Sequence, residues 1–149
     1  MNTRVMAYLH IASFYDFPVH KVTELLGIQP TETRVKGELG ENQFPHRYTS
    51  WKYSSGYQET LEVDKVLMEV LEPFENKVQE ILAVKEKYQV DTVIQLVIEI
   101  YDGRTPGLVI DPRVSKFGGD IGANIDIDLY AFPYVESDEP EIIEGYFEK

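Results

Sequence analysis

The fold is decided around residues 23–37, which read Thr23-Glu-Leu-Leu-Gly-Ile-Gln-Pro-Thr-Glu-Thr-Arg-Val-Lys-Gly37. Apolar residues recur at helical spacing, namely Val19, Val22, Leu25 and Leu26. One stripe of a helix is therefore predicted to face a core. Gly27 stands where a helix ends in the left-handed conformation, and Pro30 prevents the helix from resuming. The stretch therefore predicts the end of a helix, a turn and the start of a short strand.

Upstream of this stretch, the sequence predicts a strand and the beginning of the helix. Residues 4–13 alternate between an apolar face and a second face that carries Tyr8 and His10, which is typical of a strand. Asp16 is the expected N-cap of the helix. Pro18 suits the first turn, because a proline lacks the N–H that would otherwise need a partner there.

Downstream, polarity and periodicity predict a loop, a strand and a broken helix. Residues 38–49 are polar and are expected to form a loop, and residues 50–54 form a short strand around the only tryptophan. Apolar residues recur at helical spacing over residues 63–88, with a break at Pro73 because proline removes a helical hydrogen bond. Residues 91–101 alternate again, which predicts a long strand.

The last predicted elements are a short helix and a strand. Asp111 and Pro112 are expected to open the helix, and Gly118 and Gly119 to end it. From residue 123 to residue 130, aliphatic side chains alternate with Asn, Asp and Tyr, which predicts a strand with one apolar and one polar face.

Together these elements predict an α+β fold, with a mostly antiparallel sheet, helices on one face and a ferredoxin-like arrangement. A strand–helix–strand unit recurs in residues 4–37 and 91–131, which suggests a duplication. We assign residues 1–132 to a single domain, since a chain of 149 residues is long enough for one hydrophobic core. Residues 133–149 form an acidic C-terminal tail, and its apolar side chains are expected to pack on the domain or on a second copy.

Composition excludes several classes of function. The formal net charge of −12 argues against nucleic acid as a partner, because a phosphate backbone needs a basic surface, but it permits a basic protein partner. The chain contains no cysteine, which excludes disulfides and thiolate metal sites. No signal peptide or apolar span is evident, so we expect a cytoplasmic protein without a membrane partner.

Six motifs follow one another along the chain. They are Leu25-Leu-Gly-Ile-Gln-Pro-Thr-Glu-Thr33, Lys36-Gly37, Trp51, Leu71-Glu-Pro73, Thr105-Pro-Gly-Leu108 and Asp126-Ile-Asp-Leu-Tyr130. In this order they resemble the bacterial domain-of-unknown-function family 4279. The resemblance implies a small cytoplasmic α+β domain with no established activity and, for the relatives that sit near toxin systems, an immunity role. It transfers no catalytic residues.

Polar and aromatic residues on the non-core sides of three predicted strands suggest a protein-binding face. Side chains two residues apart on a strand point to the same side, and tyrosine is enriched at interfaces. If the three strands are neighbours, these side chains form an acidic and aromatic patch on the helix-free face of the sheet. The candidate interaction residues are Tyr8, His10, Glu99, Tyr101, Asp126, Asp128 and Tyr130.

A second candidate site is the turn after the first helix. Its hydroxyl and cationic side chains, Thr31, Thr33, Arg34 and Lys36, suit an anion or a small ligand, although a network of turn hydrogen bonds accounts for them as well. The three histidines lie on different predicted elements and form no paired metal motif. We therefore expect no metal site and no cofactor.

Three functions agree with these observations. We favour a non-enzymatic protein-binding domain, acting as an immunity or accessory protein for a basic bacterial partner, because acids and tyrosines are present without a catalytic motif. One alternative is a small-molecule-sensing domain with a pocket between the sheet and the loop of residues 38–49. The other is a metal-dependent hydrolase that uses Glu99, Asp126 and Asp128.

Overall fold

A computed structural model describes residues 1–134 of the chain. The strands are β1 (Arg4–Ser13), β2 (Glu32–Arg34), β3 (Thr49–Ser54), β4 (Gln58–Glu59), β5 (Asp91–Ile100) and β6 (Asn124–Ala131). The helices are α1 (Val19–Leu26), α2 (Val63–Leu71), α3 (Val78–Tyr88) and α4 (Pro112–Ile121). The predicted α+β class is therefore confirmed.

The six strands form one mostly antiparallel sheet in the order β2–β3–β1–β5–β6, and the short β4 pairs with the start of β1. Strand β1 is central, and it pairs antiparallel with β3 on one side and with β5 on the other. Strands β5 and β6 are parallel, since α4 returns the chain to the same end of the sheet before β6 begins. Strand β6 therefore ends the sheet on one side, and the short β2 ends it on the other.

The hydrophobic core lies between one face of the sheet and all four helices. Alternate side chains of β1 are fully buried, and the matching side chains of β5 lie beside them in register. Each helix contributes an apolar stripe to the same cluster. The central members are Leu9, Ile11, Leu26, Trp51, Leu67, Phe74, Ile81, Ile94, Leu96, Ile98 and Ile121. This arrangement leaves the other face of the sheet free of helices, as predicted.

Two helix ends agree with the sequence prediction. Helix α1 ends at Gly27, which has φ 68° and donates its N–H to Thr23 O. Helix α2 stops at Leu71, and a short 3₁₀ turn over Glu72–Phe74 separates it from α3, as expected from Pro73.

Two details of the helix ends were predicted wrongly. Asp16 is not the N-cap of α1, because Pro18 occupies that position and the Asp16 carboxylate instead accepts a hydrogen bond from Thr49 Oγ1 at 2.8 Å. Gly118 does not end α4, which continues to Ile121 and ends in a left-handed Gly122. A Cβ at Gly118 would lie 3.4 Å from Ile94 Cδ1, so this glycine lets the helix approach the sheet closely.

The two strand–helix–strand units differ in geometry, so the duplication and the ferredoxin-like comparison stay predictions. Strand β1 leads through α1 and β2 to an antiparallel neighbour, β3, whereas β5 leads through α4 to a parallel neighbour. The predicted packing of the acidic tail concerns residues 135–149, which lie outside the described part of the chain. Within residues 1–134, every helix is too short or too polar to cross a membrane.

Candidate functional site

The strand register brings most of the predicted interaction residues onto one side of the sheet. On this helix-free face, Tyr8 lies opposite Gln95 of β5, and Gln95 lies beside Asp126 of β6. Four residues further along β5, Glu99 stands beside Tyr130. Because side chains two residues apart share a face, His10 and Asp128 belong to the same surface, and Tyr101 follows directly after the end of β5.

An aromatic cluster occupies the β1–β3 side of this face. His10 meets the rings of Tyr8 and Tyr48 edge to face, with ring centroids 6.0 and 6.2 Å apart. The ammonium group of Lys52 lies 4.5 Å from the centre of the Tyr8 ring. Burial, followed by the charges of Lys52 and Arg34, lowers the pKa of His10, so the imidazole is neutral at neutral pH. This side of the face therefore combines aromatic rings with a lysine that forms an ion pair with Glu32 at 3.8 Å.

The negative charge of Glu99 is balanced by an ion pair with Arg4 of the neighbouring strand. Arg4 of β1 donates from Nε to Glu99 Oε2, and its guanidinium lies 3.9 Å from the centre of the Tyr57 ring. Tyr101 donates its hydroxyl to the same Glu99 oxygen at 3.3 Å. The hydrogen bond from Arg4 lowers the pKa of Glu99 below its ordinary value, so this carboxylate stays ionised within an ion pair.

Asp126 and Asp128 are the uncompensated acids of the helix-free face. Asp128 accepts a hydrogen bond from the amide of the buried Gln95 at 3.0 Å, and neither aspartate forms an ion pair with any residue of the described chain. Burial, followed by the negative charge of Asp128, raises the pKa of Tyr8 on β1. The charge on β6 therefore acts across β5. The β6 side of the face is therefore acidic.

The structure does not bring the three acids of the hydrolase alternative together as a metal site. Glu99 is bound to Arg4, whereas Asp126 and Asp128 lie beside Gln95 and Val97. Within residues 1–134, no three His, Cys, Asp or Glu side chains lie close enough together to ligate one metal ion.

The residues of the predicted anion turn are engaged with separate neighbours. Arg34 donates to Glu32 at 2.6 Å, and the ammonium group of Lys36 donates to the Phe14 carbonyl at 2.8 Å. Thr31 donates its hydroxyl to Lys52 O at 3.2 Å. Thr33 lies opposite Trp51, so the pleat directs it away from the face of Arg34. These four side chains do not converge on one point.

A cleft of about 1130 Å³ lies between β2 and a hairpin formed by residues 37–46. The hairpin is closed by hydrogen bonds from Gly40 N to Phe44 O and from His46 N to Glu38 O. It coincides with the loop in which the sequence suggested a pocket. Arg34 and Arg47 line the cleft together with Glu32, Glu41 and the exposed ring of Phe44, so its walls combine both signs of charge with apolar surface.

Sequence reasoning missed the apolar surface beside β6. Leu129 and Ile127 point to the helix side of the sheet, where their alternation predicts burial, yet they are 56% and 36% exposed. At the beginning of the strand, by contrast, Gly118 of α4 packs near the partly buried Ile125. The alternation identifies the apolar side of β6 but carries no signal for where a covering helix stops.

The family comparison agrees with the motifs along the chain. The model of the family described as "Domain of unknown function (DUF4279)" matches residues 2–132, so the chain belongs to this family. No curated protein and no solved structure matches the chain.

Proposed function

We propose that this member of the DUF4279 family is a non-enzymatic protein-binding domain, and that its helix-free sheet face takes a basic protein partner. The observation that carries the proposal is a pair of carboxylates, Asp126 and Asp128, which have no ion-pair partner among residues 1–134 and lie beside the exposed Tyr130 on one face. Like charges held together repel, and a cationic partner relieves that repulsion on binding. Tyr130, which is exposed beside them, supplies apolar contact area typical of interfaces.

The chemistry of the other polar groups on this face supports binding rather than catalysis. Glu99 is held ionised by Arg4 and does not meet the two aspartates, so these acids do not form a general acid–base pair. The neutral His10 contacts aromatic rings rather than a nucleophile. Within this proposal, an immunity or accessory role against a basic toxin domain is the form that the family resemblance implies for part of the family.

The experiment is a selection from the protein's own genome. Genomic fragments displayed on phage are enriched on the immobilised full-length chain, and each enriched fragment is then measured against two double variants. Asp126→Asn/Asp128→Asn removes two charges from the helix-free face. Asp64→Asn/Glu86→Gln removes two exposed charges from the helices and serves as the matched control.

The proposal expects enriched fragments with net positive charge, whose binding weakens in the face variant and persists in the control. Their association rates fall as salt rises, because charge steering is screened. The proposal is overturned if the enriched fragments are neutral or acidic, if both double variants bind them equally, or if no fragment is enriched.

The cleft beside β2 supports a second candidate function, which is the binding of a small anionic ligand with an aromatic ring. Arg47 lines the cleft without an ion-pair partner among residues 1–134, and Phe44 exposes its ring nearby. Thermal unfolding with nucleoside monophosphates and aromatic carboxylates tests it. We expect the ligand to raise the melting temperature of the wild type and of the control variant Arg104→Gln, but not that of Arg47→Gln. If no ligand raises the melting temperature of the wild type, this candidate is removed.

A further inference from the structure

Strand β6 lies at one edge of the sheet formed by the described residues. The strand has eight residues, Asn-Ile-Asp-Ile-Asp-Leu-Tyr-Ala, and within residues 1–134 it pairs only with β5. Natural sheets protect such edges with charged side chains, especially lysine, with proline, a bulge or a very short strand, or by covering the edge with a helix or loop. Strand β6 is long, contains neither lysine nor proline, and is paired in continuous register from Asn124 to Ala131. Its charged residues are Asp126 and Asp128, which repel an acidic strand but attract a basic one. Within residues 1–134, the backbone N–H and C=O groups along this edge therefore have no strand partner.

The two faces of β6 differ in chemistry on either side of this edge. On the helix-free face, Asp126 and Asp128 present carboxylates without cationic partners among the described residues. On the helix side, Ile127 and Leu129 are exposed. An incoming strand places its own side chains on these two faces alternately, because the period of a strand is two residues.

We propose that β6 takes an extended basic segment of a partner protein as an additional strand of the sheet. Lysine or arginine at alternate positions of that segment meets Asp126 and Asp128, and apolar residues between them cover Ile127 and Leu129. The backbone hydrogen bonds of strand addition supply affinity, and the alternating side chains supply specificity. This inference rests on the proposed function and specifies both the edge that is used and the sequence pattern of the partner.

Charge distinguishes this occupant from a second copy of the chain. Suppose that the β6 strands of two copies pair antiparallel about a two-fold axis. An axis centred on Ile127 pairs Asp126 with Asp128 of the second copy, and an axis centred on Asp128 pairs this residue with Asp128 of the second copy. Like charges directly opposite each other destabilise a strand pair. A basic segment places opposite charges at the same positions.

Charge also disfavours the chain's own C-terminal sequence as the occupant. Residues 135–149 contain six carboxylate side chains and a single lysine, and these acids are Glu136, Asp138, Glu139, Glu141, Glu144 and Glu148. A strand drawn from this sequence would set glutamates against the aspartates of β6, whereas a basic segment relieves the repulsion.

The test uses the full-length chain and a synthetic eight-residue peptide in which lysine and valine alternate, with binding followed by fluorescence anisotropy. The first control peptide has the same composition, with its lysines and valines in two blocks. A second control peptide alternates glutamate and valine. Two further lysine–valine peptides carry N-methyl groups on alternate amides, in one phase or in the other. Strand addition uses every second amide of the peptide, so only one phase of methylation removes its hydrogen bonds.

The proposal expects the alternating basic peptide to bind, and both the block peptide and the acidic peptide to bind at least tenfold more weakly. One methylation phase abolishes binding and the other preserves it. Asp126→Asn/Asp128→Asn weakens binding by about 2- to 30-fold, the range for two cross-strand charge pairs. The control variant Asp64→Asn/Glu86→Gln binds like the wild type.

If the two methylation phases have equal effects, the peptide binds without joining the sheet. That result overturns this inference but leaves charge-driven binding on the helix-free face intact. Loss of the charge dependence overturns the proposed function as well. Absence of peptide binding, together with a dimer in analytical ultracentrifugation, assigns the edge to a second copy. Absence of peptide binding by a monomer means that the edge is closed, which also refutes the inference.

Discussion

The hydrogen bond between Trp51 and Thr23 ties helix α1 to the sheet, and its removal is expected to destabilise the fold. Trp51 is fully buried, and its indole N–H donates to Thr23 Oγ1 at 2.9 Å. Thr23→Val keeps the size of the side chain but removes the acceptor, so a buried donor loses its partner. That loss costs about 1–3 kcal/mol. For a chain of this length, the melting temperature should fall by roughly 3–10 °C.

A double-mutant cycle separates this hydrogen bond from the packing of the two side chains. Urea unfolding followed by circular dichroism gives the free energy of unfolding for wild type, Thr23→Val, Trp51→Phe and the double variant. Phenylalanine has no N–H, so Thr23→Val should cost almost nothing in the Trp51→Phe background. Thr23→Ser, which retains the hydroxyl, is the matched control and should lie close to wild type. If Thr23→Val costs the same free energy in both backgrounds, the hydrogen bond contributes nothing and the reasoning is refuted.

Three further predictions concern stability. Gly27→Val should lower the free energy of unfolding by about 1–2 kcal/mol; an added Cβ meets no other atom, so the cost comes from the backbone strain of φ 68° alone. Gly119→Ala, inside α4, should stabilise the fold. Thermal melts compare the two variants. Glu99→Gln should lower the free energy of unfolding at neutral pH, and the difference should vanish in acid. The lowered pKa means that the Arg4 pair stabilises the fold above the ordinary value of 4.5, and this stabilisation is lost as pH falls through the lowered pKa. Lys85→Met should increase amide exchange at the end of α4, because the Lys85 ammonium donates hydrogen bonds to Ile121 O at 2.8 Å and to Gly122 O at 3.2 Å. Unchanged amide exchange in the variant would contradict this expectation.

Much of the fold was predictable because its signals are local. Strand β1 matches its predicted bounds, since its alternation extends over ten residues. Gly27 was also predicted correctly, because a glycine that follows an apolar helical stripe and precedes Pro30 is typical of a helix end. Gly118 was misread for a tertiary reason: it permits close packing of α4 on Ile94, and such a contact has no local signature.

The candidate site was predictable only in part, because it depends on which strands are neighbours. Alternation alone placed Asp126 and Asp128 on one side of their strand. It did not predict that Arg4 neutralises Glu99, since these two residues are far apart in sequence and meet only through the β1–β5 register. Nor did it predict that β6 forms the sheet edge, because strand order is a property of the assembled sheet.

The most direct test of the central claim is a chemical-shift map of the labelled full-length chain during titration with a basic fragment selected from its own genome. The account predicts that the largest shifts fall on the amides of residues 124–131 and on Tyr8, and that Asp126→Asn/Asp128→Asn needs a higher concentration of the fragment to reach the same shifts. Shifts centred on the hairpin of residues 37–46 or on the outer surfaces of the helices would contradict the claim that the helix-free face is the binding surface.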